Sequence, residues 1–173
     1  MKKRCWAMVA GLGMIAGVVM GGDAVPAGKY VWTATSEEKA AIEAAVEDGA
    51  RQVNRLIRSV ARGRLRESTA PFQRLSFSRA DGAVTMKRDD DTPISGAVDG
   101  TAFEWKRKDG KVFTVAQTLS TNVLTQTFTD SDKNARVNQY IFADDSALTL
   151  VITRKSSSLE SPVSYRLTYT KAE

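Results

Sequence analysis

Histidine is absent from the 173 residues, and cysteine occurs once, at Cys5. The first absence removes every chemistry that needs imidazole: Ser-His-Asp and Cys-His nucleophile pairs, histidine metal sites and histidine pH switching. The second removes any disulfide within the chain. Proline is scarce, at four residues. No segment beyond residue 20 is apolar for long enough to span a bilayer. The single Gly-x-Gly string, Gly11-Leu12-Gly13, sits near the start, and the chain has neither Gly-x-Gly-x-x-Gly nor a P-loop. A strong excess of one charge sign is also missing, since 25 Lys+Arg against 20 Asp+Glu leave +5. That balance argues against nucleic acid as a partner. What remains, 42% hydrophobic and 26% charged, is an ordinary globular composition at a length suited to one domain.

The first residues indicate a compartment. Met1-Lys2-Lys3-Arg4 is basic, and Cys5 to Met20 is apolar apart from glycines. A charged start, a short apolar middle and small residues after it are the layout of a secretory signal, expected over 1–24. Small-x-small cleavage fits after Ala24 or after Ala27. Cleavage after Ala24 removes Lys2, Lys3, Arg4 and Asp23, lowers the net charge to +3 and takes away Cys5. The expected location is periplasmic or secreted, with no membrane span left in the mature chain.

Residues 25–34, with Tyr30 and Trp32, read as an irregular lead. Thr35-x-x-Glu38 is a capping box ahead of an Ala-rich run. Ile42, Val46, Val53, Leu56, Ile57 and Val60 then recur at helical spacing, so one amphipathic helix is expected over 35–66, ended before Pro71. After Pro71 the period changes to two. Strands are expected near 73–79, 83–88, 94–98, 102–107, 111–119, 122–129, 135–143, 147–155 and 162–171. Asp81-Gly82, Asp99-Gly100 and Asp109-Gly110 are hairpin-turn dipeptides. Nine short strands in a meander do not stay open with two raw edges. The expected fold is mainly β: an antiparallel up-and-down meander closed into a barrel over 73–173, with one N-terminal amphipathic helix in the same domain.

Asn122-Val-Leu-Thr-Gln-Thr-Phe128, the Leu148-Thr-Leu-Val-Ile152 strand and the closing Tyr165-Arg-Leu-Thr-Tyr169-Thr-Lys-Ala172 resemble the last strands of the calycins, the lipocalins and fatty-acid-binding proteins. The resemblance implies a calycin-like barrel. In fatty-acid-binding proteins an Arg-x-Tyr on the closing strand holds a carboxylate. Here the pattern is Arg166-x-x-Tyr169, whose side chains alternate to opposite faces, so that role does not transfer. The lipocalin Gly-x-Trp signature is absent.

Candidate ligand-binding residues follow from alternation. Leu148, Leu150 and Ile152 share a face on one strand, as do Val163, Tyr165, Leu167 and Tyr169 on the next. Phe103 and Trp105 pair similarly, as do Tyr140 and Phe142. These faces either line an apolar cavity, with tyrosine hydroxyls orienting a ligand, or fill a solid barrel interior. Arg136 and Arg154 fall on apolar-bearing faces near strand ends, where they either meet an anionic headgroup at the barrel mouth or sit at a rim facing water.

Arg51, Arg55, Arg58, Arg62 and Arg66 follow one another at helical spacing as a basic ridge. It suits an anionic surface, or equally a solvated face whose charge complements the helix dipole. Asp130-x-Asp132-x-Asn134 imitates a calcium loop, but Ala135 replaces the glycine and Ile141 the final glutamate. It reads as a hairpin connection. Asp89-Asp90-Asp91 reads as a solvated turn, and Glu104 is expected to face outward. No metal, cofactor or catalytic residue is expected. The expected function is non-catalytic binding of a small apolar or amphipathic ligand such as a lipid. The competing reading is an envelope protein-interaction module, an inhibitor or accessory subunit, with a filled barrel.

Overall fold

The structure, a computed structural model, describes residues 25–172; the expected signal segment lies outside them. In chain order the elements are β1 (Gly28–Trp32), α1 (Ser36–Arg51), α2 (Arg58–Thr69), β2 (Arg74–Ala80), β3 (Ala83–Arg88), β4 (Ile94–Ala97), β5 (Asp99–Lys106), β6 (Val112–Ser120), β7 (Val123–Thr129), β8 (Ala135–Phe142), β9 (Ala147–Lys155) and β10 (Val163–Lys171). All pair antiparallel in one 10-stranded sheet of order β4-β3-β2-β1-β10-β9-β8-β7-β6-β5. The meander expected from the period-two pattern is therefore present, and it curls into a nearly closed calycin-like barrel. No helix among the described residues is long and apolar enough to cross a membrane.

Two expectations about the N-terminal region are corrected. The lead 25–34 is not irregular: it contains β1, which pairs with β10 through Trp32↔Tyr169 and with β2 through Tyr30↔Leu75. Its one fully buried side chain, Tyr30, joins the core; so short a strand leaves little alternation to read. The single helix over 35–66 is two helices. The Asn54 side chain accepts a hydrogen bond from Leu56 N at 3.0 Å, an Asx turn that competes with helix. The Arg58 guanidinium donates to the carbonyls of Arg51 and Val53, satisfying the end of α1. The stripe is split accordingly. Ile42 and Val46 are buried, whereas Leu56, Ile57 and Val60 are 89%, 55% and 56% exposed.

Thr35 is the N-cap of α1, accepting from Glu38 N. The Glu38 carboxylate does not close the box; it accepts from Trp32 Nε1 at 2.8 Å and from Thr168 N at 2.5 Å, tying α1 to β1 and β10. Gly49 is where α1 packs closest. A Cβ there would meet Val163 Cγ2 at 2.7 Å and Leu65 Cδ1 at 3.0 Å. The α1–α2 pair is fastened by Arg62–Glu47 and Arg66–Glu43 ion pairs.

Closure fails only between β4 and β5. Asp99-Gly100 does not make a β4–β5 hairpin; it opens β5 at a register shift between Asp99 and Ala102, and β4 has no ladder to β5. The Phe103 ring lies against the Gly96 backbone, so close that a Cβ on Gly96 would meet it at 2.2 Å. Buried amides bridge the seam from inside. Gln117 Nε2 of β6 donates to Val84 O at 3.2 Å and Gly96 O at 3.0 Å, and its Oε1 accepts from Gln126 Nε2 at 2.5 Å. By contrast, Asp81-Gly82 turns between β2 and β3 and Asp109-Gly110 between β5 and β6, with Asp81, Gly82 and Gly110 at positive φ.

Candidate functional site

The barrel interior divides into zones. In one, Phe77 packs edge-on against Tyr30, Tyr140 and Phe142, with ring centroids 5.9, 5.2 and 5.3 Å away. Such pairs add roughly 0.5–1.5 kcal/mol each beyond area burial. Leu148, Leu150, Ile152, Leu167, Tyr165 and Tyr169 belong to the same packed core. A polar band follows, where Gln117, Gln126 and Asn138 are paired across β6, β7 and β8. Beyond it, under α2, a cavity of about 710 Å³ opens.

Apolar side chains from two directions form much of its wall: Ile57, Val60 and Leu65 from the helical segment, and Trp105, Phe113 and Phe128 from the strands. Three strand arginines reach that wall from inside the barrel, Arg88 from β3, Arg136 from β8 and Arg154 from β9, and Arg64 and Arg107 also line it. Arg88 is 5% exposed, and its guanidinium carbon lies 4.8 Å from the centroids of both Phe72 and Trp105 and 5.5 Å from that of Phe128. Arg136 stacks on Phe72 too, at 4.9 Å. The Phe72 ring thus contacts two cations, contacts that strengthen where water is excluded. Arg136 and Arg154 are directly opposed across the β8–β9 ladder.

Compensation is sparse. Arg88 pairs with Asp91 at 3.2 Å, whereas Arg136 donates to neutral Asn138 Oδ1 at 2.8 Å and Arg154 donates to Ser68 O of α2. Buried N–H groups remain without partners at Arg88 Nε, Arg136 Nη2 and Arg154 Nε. Burial and the neighbouring Arg154 charge pull Arg136 down to about 10. Burial and Arg136 likewise lower Arg88, and burial lowers Arg154. The three remain cations at neutral pH, held at an electrostatic disadvantage that an anion would relieve.

Of the nine candidate ligand residues, all lie on the inner face, but only Trp105 is on the cavity wall. Phe103 packs against the core at the seam, and Tyr140, Phe142, Leu148, Leu150, Ile152, Tyr165 and Tyr169 form the core itself. The tyrosine hydroxyls are occupied: Tyr165 donates to Thr69 O and Tyr169 to Phe72 O, while Tyr140 accepts from Asn138 Nδ2. Tyr165 and Tyr169 clamp the end of α2 and the segment after it to the barrel. The rim alternative for Arg136 and Arg154 is set aside, since both face the cavity. Arg88, Phe72 and Phe128 were not singled out in the sequence. Arg88 carries a readable signal, sharing the inward alternation of Val84 and Met86.

The basic ridge does not form one surface. Arg51 pairs with Asp48, Arg62 with Glu47 and Arg66 with Glu43, Arg58 caps α1, and Arg55 is exposed. The triple aspartate is not a simple solvated turn. Asp89 accepts from Gln73 N and Arg74 N, and Asp91 holds Arg88 and Lys108 N. Asp130 accepts from Asp132 N and Asn134 N within its own hairpin connection, and Glu104 faces outward.

No family model matches the chain. No curated protein matches it either. Solved structures do. A Schistosoma mansoni fatty acid binding protein in complex with arachidonic acid superposes with a TM-score of 0.54 at 17% identity, over 86% of this chain and 96% of that one. Echinococcus granulosus fatty-acid-binding protein 1 gives 0.53 at 13% identity, over 85% and 97%. As-p18, an extracellular fatty acid binding protein, gives 0.51 at 17% identity, over 85% and 96%. The element order, the helix pair after the first strand and the ten-stranded barrel together give this chain the fold of the fatty-acid-binding proteins.

Proposed function

We propose that this protein is a non-catalytic carrier of an amphipathic, lipid-like molecule whose anionic headgroup meets Arg88, Arg136 and Arg154. The observation that carries the reading is the placement of three arginines, each with a buried N–H lacking a partner and two of them without an ion pair, on the wall of a cavity with much apolar lining. A cavity of about 710 Å³ falls within the roughly 300–1,000 Å³ of small-molecule sites. Trp105, Phe113 and Phe128 would cover the part of the ligand nearest the headgroup, and Ile57, Val60 and Leu65 of the helical segment the rest. Desolvation of the ligand's apolar body supplies the affinity, about 25 cal/mol per Å² buried before ordering costs. The fatty-acid-binding names of its structural neighbours agree with this reading.

Native mass spectrometry of the purified protein, followed by solvent extraction, tests it. A stoichiometric extra mass that extracts as an anionic amphiphile is expected. A bare mass that stays unchanged after incubation with fatty acids and phospholipids would reject the carrier. The basic–apolar–small pattern over 1–24 supports a site of action outside the cytoplasm, and N-terminal sequencing of the mature protein checks it: a start at Val25 or Gly28 is expected, an intact Met1 is not.

A further inference from the structure

The charge count of the cavity points to a particular headgroup. Cations on its wall come from every side: Arg64 of α2, Arg88, Arg136 and Arg154 within, and Arg107, Lys111 and Lys155 around them. The one carboxylate on the wall, Asp130, is turned to the backbone N–H groups of its own loop and to Asn134 Nδ2. Arg107 is neutralised by Asp109, and Arg88 by Asp91. Arg136 and Arg154 make no ion pair with any described residue and face each other as nearest cross-strand neighbours. Two unmatched guanidinium charges therefore share one half-buried wall, and three buried N–H donors, one on each arginine, lack an acceptor.

A carboxylate brings one charge, which leaves one of the two unpaired cations unmatched. A phosphate monoester brings nearly two charges at neutral pH and three strong acceptor oxygens. Guanidinium groups bind such oxygens through paired, charge-assisted hydrogen bonds. Resting on the carrier reading above, we propose that the preferred ligand is a dianionic amphiphile, a single-chain lipid ending in a phosphate monoester, with Arg136 and Arg154 matching its two charges and Arg88 supplying a third point of contact.

Calorimetric titration of the full folded protein at pH 8, below micelle-forming concentrations, separates the terms. The probes are dodecyl phosphate, dodecyl sulfate, dodecanoate and inorganic phosphate. Dodecyl phosphate and dodecyl sulfate share chain and tetrahedral shape but differ by one charge at that pH. Dodecyl phosphate is expected to bind at least tenfold tighter than either singly charged amphiphile, and inorganic phosphate far more weakly than dodecyl phosphate. Equal affinity for the three amphiphiles overturns the dianion preference and leaves the carrier standing. Inorganic phosphate binding as tightly as dodecyl phosphate overturns the lipid part, since recognition would then lie in the anion alone. No binding by any amphiphile overturns both readings. Arg154→Met should bring dodecyl phosphate down to the affinity of dodecyl sulfate. Because Arg154 also holds Ser68, Arg136→Met is measured beside it, with circular dichroism reporting the fold. If both folded variants keep the wild-type preference for phosphate over sulfate, the charge-matching account fails.

Discussion

Arg136 of β8 and Arg154 of β9 are paired directly across the ladder with both side chains on the cavity wall, and no carboxylate pairs with either among the described residues. Like charges placed opposite each other in a sheet destabilise it, and burial strengthens the repulsion. On the proposed function, their side-by-side placement trades stability for anion recognition. Arg136→Glu, which turns the repulsive pair into an attractive one, is expected to raise the ligand-free melting temperature by several degrees and to weaken dodecanoate binding at least tenfold. Thermal denaturation with and without dodecanoate reads both effects. A lower melting temperature with binding retained would contradict the assignment.

The two helical glycines make opposite predictions. Gly63 of α2 has open space where a Cβ would go, so Gly63→Ala should stabilise by about 0.5–1 kcal/mol through helix propensity alone. Gly49 of α1 has Val163 and Leu65 in that space, so Gly49→Ala should destabilise despite the same gain. Urea denaturation of the two variants decides; equal effects would refute the close packing of α1 on β10.

Tyr30, Tyr140 and Tyr169 ionise at higher pH than a free phenol, each chiefly because burial disfavours the phenolate. The unfolded chain loses these protons near pH 10, while the folded chain keeps them. Their contribution to stability is therefore complete below pH 10 and is lost as pH rises past it. Absorbance at 295 nm should show Tyr30, Tyr140 and Tyr169 staying protonated above pH 10 and ionising only as the protein unfolds. Reversible titration of these three near pH 10 would show that their phenols are hydrated.

Gln117→Leu leaves a carbonyl of β4 and the Gln126 amide without their partner inside the barrel. The expected loss is about 2 kcal/mol, typical of orphaned buried polar groups. Hydrogen exchange should quicken first in β4 and β5, the two strands beside the seam. Uniform loss across the sheet would mean that the amide bridge does not close the barrel.

Tyr165→Phe and Tyr169→Phe each remove one hydrogen bond that holds the segment after α2, to Thr69 O at 3.2 Å and Phe72 O at 3.0 Å. Each should lower stability by about 1 kcal/mol. Tyr169→Phe should also weaken ligand binding, because Phe72 packs against both Arg88 and Arg136. Ligand affinity measured for both variants tests the difference; identical losses would deny Phe72 that role.

The sequence by itself determined nine of the ten strands, the antiparallel meander and the inward faces. Period-two alternation is imposed on each strand locally, and a strand's inward residues are the same whichever neighbours it finds. Thr35 likewise announced the start of α1, because capping depends on residues three apart. Tertiary structure decided the rest. The break between α1 and α2 rests on Asn54 and Arg58 satisfying backbone groups, and β1 exists because β2 and β10 supply ladders to both its edges. Alternation placed Tyr140, Tyr165 and Tyr169 inside without showing that their hydroxyls clamp chain, since each partner is remote or on a neighbouring inward position. Above all, the cavity is set by how deeply the barrel fills with side chains, a volume that no single strand carries. Only when β3, β8 and β9 curve into one wall do Arg88, Arg136 and Arg154 share it.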